Sequence, residues 1–160
     1  MSRTLVHNVT IVNEGKQFKG AVIIEDERIT SIVEGQVFNI EDFEKVINGE
    51  GCYLLPGVID EHVHFRDPGL THKADITSES RAAVAGGVTS VMDMPNTNPQ
   101  TTTIEAWEAK MDNFAQHSLA HYSCYFGATN SNYDLFDKLD KHRVPGIKLF
   151  MGSSTGNMLV

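Results

Sequence analysis

Cysteine is scarce in this 160-residue chain: only Cys52 and Cys124 are present, far apart and without CxxC spacing. That argues against a disulfide-stapled scaffold or a zinc knuckle and suits two small buried apolar residues. Positive charge is also in deficit, with 13 Lys and Arg against 21 Asp and Glu and a formal net charge of −8. No general surface for nucleic acid or an anionic membrane is therefore expected, and an anionic ligand must be drawn by a local cluster. No run of about 18 apolar residues occurs, and the start MSRTLVHNVTIVNEG has no long apolar stretch behind a basic segment, so neither membrane insertion nor export is indicated. A cytoplasmic protein is the expectation. A Walker loop and a GxGxxG after a strand are both missing, which removes the usual signature of a nucleotide-binding doubly wound sheet.

What is present reads as two regions. Hydrophobic residues make up 41% of the chain, enough for one domain with a core or for part of a larger one. Residues 1–53 are expected to form part of a small β-sandwich. Thr4 to Val12, Ala21 to Glu25 and Arg28 to Val33 are rich in Val, Ile and Thr and broken by polar turns. His7 falls inside the first of these strands and is read as structural. From residue 54 to 160 strands and helices alternate. LLPGVID leads into a strand; His72 to Ala85 reads as a helix ended by Gly86-Gly87; Val88 to Met94 is a buried strand; and Ile104 to His117 is an amphipathic helix. Ala120 to Ala128, a helix at Tyr133 to His142 and a strand at Gly146 to Gly152 continue the pattern. The fold class is α/β, with parallel βα units of a (β/α)8 TIM-type barrel. Such a barrel takes roughly 250 residues, so about the first four units are expected here, as the front portion of a longer protein.

The chemistry concentrates in a few places. In DEHVHFRDPG, His62 and His64 stand at i and i+2, which in a continuing strand face the same way and let two imidazole nitrogens converge on one divalent ion. Two satisfied or solvent-facing histidines are the alternative. In GIKLF, alternation turns Ile147 and Leu149 toward outer helices and Lys148 toward the interior. An ammonium beside a metal ion is repelled and poorly solvated, and the neutral amine can add carbon dioxide to give a carbamate that bridges two ions; a lysine snorkelling to solvent is the alternative. The guanidinium of Arg66 can grip a carboxylate, and Asn96 in DMPNTNP arrives at the same rim, so together they describe a carboxylate pocket. Structurally, Arg66 pairing with Asp67 and Asn96 forming a turn are the alternatives. Asp67-Pro68-Gly69 reads as a turn, and GSSTGN at 152–157 as a loop over the site or a plain connection.

PGVIDEHVHFRDPG, MDMPNTNP and GIKLFMGSSTGN resemble the first, second and fourth strand motifs of the dihydroorotases within the amidohydrolase superfamily, and the resemblance runs over essentially the whole chain. It implies a cyclic amidohydrolase that interconverts dihydroorotate and N-carbamoyl-aspartate in pyrimidine biosynthesis. His62 and His64 would bind zinc, a carboxylated Lys148 would bridge to a second zinc ion, and Arg66 and Asn96 would hold the substrate carboxylate. Many dihydroorotases of this sequence type carry an aspartate where this strand has Lys148, a lysine more like that of the hydantoinases. Hydantoinase, dihydropyrimidinase and allantoinase are thus the nearby alternative, and a non-catalytic scaffold relative the more distant one. A small-molecule substrate and a homo-oligomer are expected, with no nucleic-acid or membrane partner. The resemblance puts the general-base aspartate on the last barrel strand and further histidine ligands on the fifth and sixth, all beyond residue 160. Residues 1–160 alone are accordingly expected to be inactive. An assay of the purified segment tests this, and detectable turnover would refute it.

Overall fold

The computed structural model describes residues 2–35, 38–153 and 158–160. They fall into two compact units, Met1–Pro56 and Gly57–Val160.

The first unit is built on a long hairpin. Strands β1 (Arg3–Asn13) and β2 (Lys16–Glu25) pair antiparallel, joined through Glu14 and Gly15 with φ of 50° and 73°. Two successive positive φ values give the turn whose twist matches that of its strands, and glycine takes the second at no steric cost. Strand β3 (Arg28–Glu34) adds antiparallel to β2, while β4 (Lys45–Asn48) and β5 (Tyr53–Leu54) both run parallel to β1. Val9, Ile11 and Val22 are buried together, with Phe18, Ile24 and Leu54 packed against them.

The second unit alternates strands and helical segments. Strands β6 (Val58–Val63), β7 (Val88–Asp93) and β8 (His121–Cys124) pair parallel in that order, and β9 (Phe126–Gly127) pairs parallel with β10 (Ile147–Lys148). Helix α1 (Ile76–Ala85) starts later than the expected His72, because Asp75 is extended and its side chain accepts from the Ser78 amide at 2.8 Å, which caps the helix there. Gly87, at φ +88°, follows its end. Helix α2 (Ile104–His117) has the expected bounds and is capped by Thr103, which accepts from the Ala106 amide at 3.2 Å. Trp107 and Phe114 of α2 join Phe65, Ile76, Val91, Cys124 and Phe126 in one core.

Three expectations are corrected. The third strand is broken at Tyr125: its amide donates to Asp93 O at 3.0 Å, and the next amide, that of Phe126, turns to Gly146 O at 3.2 Å. Tyr133–Lys138 is a 3₁₀ segment rather than a helix to His142. Asn132, just before it, is no cap: its amide nitrogen donates to Thr102 O and Gly127 O, both at 2.9 Å, and its oxygen accepts from Thr129 N. Leu135, Phe136 and Leu139 still pack on the core, so the apolar spacing is satisfied by a tighter, shorter coil. Finally, among the described residues no helix covers Ile147 and Leu149, which are 44% and 46% exposed.

Phe114 is wholly buried and its ring stacks between those of Phe65, at 5.8 Å, and Tyr122, at 5.2 Å. Phe114→Ala is expected to cost about 3–5 kcal/mol, read as a lower urea midpoint at unchanged slope.

Candidate active site

The ends of β6, β7 and β10 carry the sequence-selected residues. His62 lies within β6, and His64 lies just past the end of that strand at Val63. Their rings nevertheless stay adjacent, with centroids 5.4 Å apart and planes at 54°. A small cavity of about 200 Å³ is lined by Glu61, His62, Met94, Tyr125, Ile147 and Lys148. The first strand's histidine and the fourth strand's lysine therefore face one space. Lys148 Nζ also sits 5.2 Å from the centroid of the Phe150 ring.

His64, Arg66 and Asn96 form a neighbouring cluster outside the lining of that cavity. Asn96 is 5% exposed, and its Oδ1 lies 3.0 Å from His64 Nδ1. An amide oxygen only accepts, so the contact calls for the proton on Nδ1 and leaves the Nε2 lone pair for a cation. Burial, and next the charge of Arg66, lower the His64 pKa below its ordinary value of 6.5, with the Asn96 bond opposing them. A neutral imidazole is the form that binds a metal.

Backbone shape around Arg66 is unusual. Arg66 itself has φ +65°, in the left-handed region that a bulky residue seldom occupies. The turn that follows locks onto the loop after β7. Asn98 N donates to Pro68 O at 3.1 Å, and a Cβ on Gly69, at φ +81°, would collide with Asn98 O. Asp67 accepts from Asn113 Nδ2 of α2 at 2.9 Å. Asp67 is thus engaged elsewhere, and among the described residues Arg66 forms no ion pair. A half-buried guanidinium so placed suits an anion from solution.

Beneath these loops is a pair that the sequence reading passed over. Asp93, at the end of β7, and Lys110, on α2, are 0% and 1% exposed and form an ion pair 2.5 Å long. Asp93 Oδ1 accepts from the Phe65 amide and Lys110 Nζ donates to Met94 O, both at 2.7 Å. The available signal was a lysine between Trp107 and Phe114 on an apolar helical stripe, and an aspartate inside the strand VTSVMDM. Tyr125, which lines the cavity, carried no comparable signal.

Two adjacent imidazoles, one of them oriented through Nδ1, suit a nitrogen-accepting ion such as zinc. Among the described residues no three His, Cys, Asp or Glu side chains converge, so the pair supplies part of a metal shell. Residues Ser154 to Asn157, in the segment expected to be a loop, lie outside the described residues.

Histidines, a lysine and an arginine gathered near the C-terminal ends of parallel strands are the pattern of an α/β enzyme site. The chain belongs to the amidohydrolase family, whose model matches residues 53–155. It is 50% identical over 106 residues to a dihydroorotase of Carboxydothermus hydrogenoformans, a match covering 64% of this chain and 24% of that protein. It is 34% identical over 154 residues to a dihydroorotase of Methanosarcina acetivorans, covering 96% of this chain and 32% of the relative. Among solved structures, the L-hydantoinase (dihydropyrimidinase) of Arthrobacter aurescens matches with a TM-score of 0.90 at 27% identity, over 100% of this chain and 35% of the other. The chain thus spans about a quarter to a third of the length of these proteins.

Because the unfolded chain takes up the His64 proton first, this group's contribution to stability declines as pH falls from about 6.5 through the lowered folded value. Arg66→Met is expected to raise the His64 pKa toward 6.5 and Asn96→Leu to lower it further, as followed by NMR titration of the imidazole.

Proposed function

We propose that the chain is the opening part of a (β/α)8 barrel, residues 54–160, preceded by part of a β-sandwich, residues 1–53, in an enzyme that interconverts dihydroorotate and N-carbamoyl-aspartate. The observation that carries the reading is Arg66: a half-buried cation beside the imidazole pair, with no acid paired to it among the described residues. A ring bearing a free carboxylate supplies the missing charge. The similarity to two dihydroorotases supports the same substrate class.

In this reading His62 and His64 would hold zinc, His64 through the nitrogen that Asn96 leaves unprotonated, and Lys148, as its carbamate, would be a further ligand of a two-zinc site. When bound, the ions supply Lewis acidity toward the amide carbonyl and acidify water, so no strong base is needed in solution. The chain's own residues bind and orient. Arg66 takes the carboxylate through two parallel hydrogen bonds and so fixes which ring atom faces the imidazoles. Asn96, already bonded to His64, lies where it can share in holding both the ligand histidine and the substrate's acid group. The aspartate expected to carry the proton to the leaving nitrogen belongs to the last barrel strand, outside these residues.

A second reading keeps the chemistry and changes the ring. Lys148 in the IKLF strand and the likeness to the L-hydantoinase favour a hydantoin or dihydropyrimidine. Such rings generally lack the carboxylate and leave Arg66 without a partner. In the full-length enzyme, Arg66→Met is expected to raise KM for dihydroorotate by about 10-fold or more, the worth of a charge-assisted bond, and hardly to change it for hydantoin. Steady-state kinetics on both substrates decides; the reverse pattern selects the second reading.

A further inference from the structure

We infer that Asp93 and Lys110 are positioning residues for the metal site, setting the place of the His64 imidazole from behind; the inference rests on the metal-binding reading above. Neither side chain lines the cavity, and both are withdrawn from water. Their contacts go to the backbone on either side of the site. Asp93 Oδ1 takes the amide of Phe65, the residue after His64, and Lys110 Nζ takes the carbonyl of Met94, two residues before Asn96. The 3.0 Å contact between His64 and Asn96 is thus spanned from below by one ion pair.

Stability alone does not account for charges at these positions. A buried ion pair gives up the hydration of both groups and is often no better than a well-packed apolar pair. Helix α2 is in any case anchored by Trp107, whose Nε1 donates to Cys124 O at 2.7 Å, and by Phe114 in the core. An apolar pair cannot, however, accept from the Phe65 amide or donate to Met94. The two strand ends would then lose the bonds that relate them, and the imidazole would gain freedom. Groups that orient a ligand histidine typically govern metal affinity by about 10–100-fold.

The test uses the full-length protein and the double variant Asp93→Leu/Lys110→Met, which removes both charges together. Zinc affinity is read by chelator competition, the His64 imidazole by NMR in metal-free protein, and folding by circular dichroism and urea unfolding. Expected are a cooperative fold, a displaced His64 resonance, zinc affinity lower by about tenfold or more, and a fall in kcat with KM for dihydroorotate within about twofold of wild type. A folded variant with wild-type zinc affinity and an unmoved His64 resonance overturns the inference. If that variant does not fold, Asp93→Asn/Lys110→Met decides, since it keeps an acceptor for Phe65 while losing the ion pair and the bond to Met94. A loss of zinc affinity of about threefold or more supports positioning, and wild-type affinity refutes it. Should the wild-type protein bind no zinc, the functional reading fails by itself. The His64 resonance of whichever variant folds then judges the pair alone: displaced, it supports positioning; unmoved, it overturns it.

Discussion

Two opposite charges taken out of water, one on a strand and one on a helix, tie the second unit together at the ends of β6 and β7. Removing an ion from water costs several kcal/mol even after relaxation, and the cost is met only when each polar atom has a well-placed partner. Asp93 and Lys110 offset that cost by engaging each other and the backbone at Phe65 and Met94, Asp93 Oδ2 having the Lys110 ammonium as its partner and no further hydrogen bond among the described residues. Once they are satisfied, the end of β6, the end of β7 and helix α2 have little freedom to slide. The surrounding aromatic core then fills the remaining space, with Phe65 and Tyr122 on either side of Phe114.

On that base the rim loops acquire their shape. The turn after Arg66 and the loop after β7 interlock where Asn98 meets Pro68 and where only a glycine fits at position 69. Held this way, Arg66 is kept in a left-handed conformation beside His64. The two groups bear on each other: the cation helps keep the imidazole neutral, and a neutral imidazole does not add to the positive field that an anionic ligand would have to balance. Arg66 and the imidazoles thus lie side by side through shared backbone, and Asn96 is bonded directly to the His64 ring.

The amidohydrolase family frames what these residues can be part of. Two imidazoles are too few for a closed metal shell, and the chain corresponds to about a quarter to a third of its relatives' length. What the 160 residues offer is one wall of a site: a histidine pair, a lysine across a small cavity from one of them, and an arginine suited to an acid. The two functional readings part at two of these side chains, Arg66 for the ring substrate and Lys148 for the metal arrangement.

Much of this was legible along the chain, because strand alternation, helix caps and glycine stops are short-range effects. The hairpin of the first unit, both bounds of α2 and the Gly86-Gly87 stop followed from local pattern, as did the selection of His62, His64, Arg66, Asn96 and Lys148 as the residues to watch. The break at Tyr125 and the tight coil at Tyr133–Lys138 did not, since each depends on hydrogen bonds to distant backbone, Asp93 in one case and Thr102 in the other. Nor did the link from His64 to Asn96, 32 residues apart, or from Phe65 to Asp93, 28 apart. By itself the sequence determined the main strands, though not β4, β5 or the first half of β2, together with the apolar face of α2 and the residue types available for chemistry. Only the tertiary structure decided that a lysine on an apolar helical stripe meets a strand aspartate rather than solvent, because the compensation of a buried charge is a property of where separate segments meet.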